Sequence, residues 1–144
     1  MGTTGRHPLI DRAYRLRREG DRRGALALYA EAARQLDGGY IAARASAMRH
    51  AADLHEELGE SDAAWQGYQA AWDLYRSLAP APDLDVANCR RPMALWQARH
   101  GSPETAQAFW REAREAYEKA AMATGLDLQV AFDECDRHIA GLTP

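Results

Sequence analysis

Arg49, His50, Asp53 and His55 place a guanidinium, two imidazoles and a carboxylate within seven residues. Such a set suits metal binding, proton transfer or pairing with an anion. A metal centre fails on spacing. On a helix of about 100° per residue, His50 and Asp53 share a face and His55 points away from it. A site needs three or four convergent ligands, and the HExxH pattern is absent. The expectation is no metal, with a histidine hydrogen-bonding between helices instead. Arg49 and Asp53 can pair locally, although arginine four residues before its acid is the poorer orientation, worth about 0.2–0.5 kcal/mol.

A second group is Asn88, Arg91 and Pro92. Proline inside a regular helix cannot donate to the carbonyl four residues back and costs about 3 kcal/mol or more. Two readings follow: a helix that starts near Asn88, or a kink that frees the Asn88 carbonyl beside Arg91. The run Arg12, Arg15, Arg17, Arg18, Arg22 and Arg23 is interrupted by Asp11, Glu19 and Asp21 and reads as a solvated face. With 18 basic and 21 acidic residues, net −3, and no stacking platform, nucleic acid is not an expected partner. Trp65, Trp72, Trp96 and Trp110 stand at helical spacings and read as core or seam. No phosphate loop, GxSxG elbow or Cys/His nucleophile pair occurs, so no catalytic residue or cofactor is assigned.

The elements that must carry these residues announce themselves by repetition. Gly20-Ala25-Tyr29-Ala32, Gly59-Ala64-Tyr68-Ala71 and Gly101-Ala106-Trp110-Ala113 share one internal spacing, and their glycines stand 39 and 42 residues apart. Thirty alanines against five valines and isoleucines favour closely packed helices over a sheet. Each phrase sits in the second helix of a hairpin, over about residues 8–37, 40–78 and 83–123. Asp21 caps one second helix, and Ser102 with Pro103 opens another. Ala79-Pro80-Ala81-Pro82 is a stiff connector. Leu128, Ala131, Phe132, Cys135 and Ile139 form a stripe on a capping helix at about 126–141, closing the open end of the stack. The expectation is all-α: seven helices, no strands, one domain over residues 1–144. Two distant cysteines, no 18-residue apolar run and a Met1–Arg6 start without signal or myristoylation pattern point to a reducing cytoplasm and no membrane.

These residues resemble the tetratricopeptide repeat (TPR) family over about Pro8 to Ala121. Its first-helix pattern of large, small and apolar residues appears as Leu9/Ala13/Leu16, Met48/Ala52/His55 and Arg90/Ala94/Gln97. The longer period is similar to the variant in kinesin light chains. The phrases from Arg49 to His55 and from Leu84 to Pro92 resemble a group of small bacterial TPR proteins, which implies kinship but no activity. The resemblance implies a right-handed α-solenoid scaffold that binds a partner peptide in a concave groove. Family register places Ile10, Asp11 and Tyr14, then Arg49, His50 and Asp53, then Asn88, Arg91, Pro92 and Leu95 on that groove. Arg49 and Arg91 share a register, so two guanidinium groups would converge on one carboxylate or phosphate. The carboxylate clamp of chaperone-binding members is not reproduced, since Ile10 and Tyr14 stand where it uses lysine and asparagine. Two alternatives stay open. One is a helical enzyme or small-molecule sensor around Arg49, His50, Asp53 and Arg91; the other is self-association through a stack end or an exposed tryptophan.

Overall fold

The computed structural model describes residues 7–141; the Met1–Arg6 start lies outside them. Among the described residues there are seven helices and no strand. They are α1 (Pro8–Arg18), α2 (Arg22–Gln35), α3 (Ile41–Glu57), α4 (Ser61–Arg76), α5 (Asp83–His100), α6 (Pro103–Thr124) and α7 (Gln129–Ile139). None of them is long and apolar enough to cross a membrane. The chain divides into two compact units, residues 1–78 with α1–α4 and 79–144 with α5–α7.

Local chemistry sets the helix ends. Asp21 accepts the Gly24 amide at 2.8 Å and opens α2. Ser102 accepts the Thr105 amide at 3.3 Å, with Pro103 at the first position of α6. His7 caps α1 through Nδ1, which receives the Leu9 amide at 3.1 Å. The turns of the first two echoes need left-handed glycine, with φ of 91° at Gly20 and 78° at Gly59. The third differs. Gly101 lies at φ −129°, and the Gln97 side chain closes the turn by accepting the Ser102 amide at 3.1 Å.

In the first unit, α1 packs on α2, α2 on α3 and α3 on α4. The echo residues Ala25, Tyr29, Ala32, Ala64, Tyr68 and Ala71 are all buried. The small first-helix positions Ala13 and Ala52 are wholly inaccessible, because neighbouring helices cross there at short range. In the second unit, α5 packs on α6 and α6 on α7. Its core joins Ala87, Ala94, Trp110, Ala113, Tyr117 and Cys135. Leu128, Ala131, Phe132 and Ile139 pack against it, so the α7 stripe covers the hairpin as its spacing predicts.

Two expectations need correction. Ile10, given a groove position by family register, is 8 % exposed and packs in the core with Ala13 and Tyr29. Its apolar side chain gains more from that seam than from solvent. A helix beginning near Asn88 is also overturned: α5 starts at Asp83, so Pro92 lies inside it, past the first turn.

Candidate functional site

Polar side chains gather in each unit. In the first, Arg49 reaches Asp53 Oδ2 at 3.4 Å from the next turn of α3, the local pairing that helix geometry allows. It also stands 3.4 Å from His50 Nε2. Both contacts are long for charged hydrogen bonds, and the Arg49 side chain is only 18 % exposed. Tyr68, the aromatic of the second echo, donates its hydroxyl from α4 to Asp53 Oδ1 at 2.5 Å. A buried tyrosine needs a partner for its hydroxyl, and Asp53 is the acceptor that α3 offers. His50 stacks on Tyr29 of α2, with centroids 5.0 Å apart and planes 17° from parallel. Tyr14, Arg17, Arg18, Tyr29 and His50 line a slot of about 280 Å³, with the Arg18 guanidinium 5.7 Å from the Tyr14 ring centroid.

Burial raises the Asp53 carboxyl above its ordinary value, opposed by the Tyr68 hydrogen bond and then the Arg49 charge. The Tyr68 hydroxyl is pushed upward too, first by burial and then by the Asp53 charge. Asp53 therefore binds its proton more readily folded than unfolded, and its effect on stability runs opposite to that of a salt-bridged acid. Wild-type stability should fall, relative to Asp53→Asn, as pH rises from about 3.8 through the raised folded value, then level off. Denaturant melts of both proteins from about pH 3 to pH 7 check this; parallel profiles would remove Asp53 as a buried acid.

His55 stands apart from this cluster, as helix geometry requires. Its Nδ1 meets Glu60 Oε1 at 2.8 Å, across the turn between α3 and α4. Among the described residues, no three His, Cys, Asp or Glu side chains converge to hold a metal ion. The N-terminal arginine run is partly neutralised across hairpins: Arg17 and Arg22 both reach Glu57, and Arg23 meets Glu60 at 2.9 Å.

In the second unit the register residues divide. The Asn88 side chain is taken up within the hairpin, where its Oδ1 accepts the Tyr117 hydroxyl from α6 at 2.8 Å. Arg91 forms a two-pronged pair with Glu134 of α7, Nε to Oε1 at 2.7 Å and Nη2 to Oε2 at 2.8 Å. That bond holds the Glu134 carboxyl below its ordinary range. Leu95 stands one turn further along α5. With Ala98, Gln107, Trp110, Glu134 and His138 it lines a cleft of about 580 Å³ between α5, α6 and α7. The floor is aromatic: His138 lies flat on Trp110, centroids 3.9 Å apart and planes 5° from parallel. Burial shifts the His138 imidazole downward. Sequence reasoning missed Glu134, His138 and Tyr68. Only Tyr68 carried a signal, since its core position required a partner for its hydroxyl.

Arg49 and Arg91 belong to different units, and each has a carboxylate partner within its own.

No protein-family model matches the chain, and no curated protein matches it. Among solved structures, it is similar to the crystal structure of BtubC (BKLC) from P. vanneervenii, with a TM-score of 0.80 at 15 % identity. The likeness covers 98 % of this chain and 58 % of that one, so the chain spans less than two thirds of that neighbour's length. At this identity the likeness is one of fold.

Proposed function

We propose that the chain is a TPR-like right-handed α-solenoid of three hairpins and a capping helix, acting as a protein-interaction module. It holds a short peptide segment of a partner protein and works by binding, not catalysis. The threefold echo and its buried alanine and aromatic positions support the repeat reading. Cys89 and Cys135, both buried in the core, are too few for a disulfide framework and fit a reducing cytoplasm.

The observation that carries the binding reading is the α5–α6–α7 cleft. At about 580 Å³ it is large enough for one or two peptide side chains, with Leu95, Ala98 and Pro103 as apolar walls and Arg91, Gln107 and Glu134 as polar groups. Tyr14, Arg49, His50 and Asp53 offer a second contact region in the first unit, where Arg49 bonds Asp53 and His50 only at 3.4 Å.

Selection from a random peptide display library tests the reading, with Ala98→Trp as the blocked form. Ala98 is exposed on the cleft wall, so an indole there fills the space without entering the core. Peptides enriched on the wild type should bind Ala98→Trp at least about tenfold more weakly, the loss of a modest apolar contact. No enrichment, or equal binding to both forms, would sink the reading.

A further inference from the structure

We infer that a slot in the first unit, between α1, α2 and α3, is a binding site for a free aromatic carboxylate, one planar ring bearing one acid group.

The lining carries the argument. Among the described residues, Tyr14, Arg17 and Arg18 of α1, Tyr29 of α2 and His50 of α3 line about 280 Å³. Each of the five ends in a planar group, three rings and two guanidinium groups, and no carboxylate stands among them. Flat walls suit a flat guest, which stacks on rings and on guanidinium planes alike. Two of the walls are set in advance. Tyr29 is buried and backs the His50 ring at 5.0 Å, and Arg17 is tied to Glu57. The accessible walls are Tyr14 and Arg18. Tyr14 is 43 % exposed, with the Arg18 guanidinium 5.7 Å from its ring centroid. Arg18 pairs with no carboxylate among the described residues, so its charge is available to the acid group of the guest. Size limits that guest. Pockets for drug-sized ligands run from about 300 to 1,000 Å³, so this slot suits a single substituted ring rather than a nucleotide or a peptide segment.

Benzoate, cyclohexanecarboxylate and benzamide are the probes, each titrated into the full chain while the His50 imidazole resonance is followed by NMR. Benzoate should shift that resonance and bind about tenfold tighter than either counterpart. Cyclohexanecarboxylate keeps the charge without the plane, and benzamide keeps the plane without the charge. Tyr14→Leu and Arg18→Gln should each weaken benzoate about tenfold, with melting temperature nearly unchanged because both side chains are exposed. Arg23→Gln, an exposed arginine outside the lining, should leave binding unchanged. No shift at millimolar benzoate overturns the inference, as does equal binding of either counterpart. An Arg23→Gln loss equal to that of Arg18→Gln would replace the slot with diffuse charge. Acetyl-phenylalanine presents the same two groups at a peptide end, and binding tighter than that of benzoate would overturn the free acid as occupant. The display selection with Ala98→Trp reads the second unit, so either result can fail without the other.

Discussion

Deleting residues 126–144 is expected to cost the second unit about 5 kcal/mol, since Leu128, Phe132 and Ile139 would each lose part of a burial worth about 1.5–3 kcal/mol. Cys135 is wholly buried under the same helix, and its thiol is pushed up to about 11, mainly by burial. The polar hold of α7 disappears too: the Arg91–Glu134 pair, the Arg114–Asp136 pair at 2.6 Å, and the bond from Gln107 to the Ile139 carbonyl at 3.1 Å. Whole domains are stable by only about 5–15 kcal/mol, so this loss should nearly unfold a unit of three helices. The surface left open includes Ala94 and Trp110, and aggregation should accompany the thermal destabilisation. Thermal melts and sedimentation of the truncated chain check both. A shortened protein that stays monomeric with an unchanged melting temperature would make α7 an appendage.

Ala52→Leu should destabilise the first unit by about 3 kcal/mol, the upper end of ordinary overpacking. The reason is what lies opposite. Gly67 of α4 faces Ala52 so closely that a Cβ on Gly67 would stand 3.0 Å from the Ala52 Cβ and 3.7 Å from the Met48 carbonyl oxygen. Three added carbons at Ala52 therefore meet backbone, which cannot rotate aside as a side chain would. Ala27→Leu, on the exposed face of α2, is the control and should change stability by no more than about 0.5 kcal/mol. Denaturant melts of the two variants decide it, and equal midpoints would show that the α3–α4 crossing lies elsewhere.

The sequence carries the helices because the forces that form them are local. Burial of Ala25, Tyr29 and Ala32 follows from spacing along one helix, and so does the α7 stripe. Caps at Asp21 and Ser102 act over three residues, so their chemistry is visible in the order of residue types. Turn glycines were legible only in part. Gly20 and Gly59 take the left-handed conformation, whereas at Gly101 the turn is closed by Gln97 instead.

The polar contacts belong to the tertiary structure. Register marks Arg91 as a charge on a first helix, but its carboxylate comes from a residue 43 positions away on another helix. Asn88 meets Tyr117 across 29 residues, and Asp53 meets Tyr68 across 15. Ile10 shows the same limit from the apolar side, since adjacent turns of α1 look alike until α2 arrives to cover one of them. Helical period fixes which residues share a face and leaves open what that face meets. A hydrogen bond or ion pair depends on distances of a few tenths of an ångström between side chains on different helices, and those follow from packing alone.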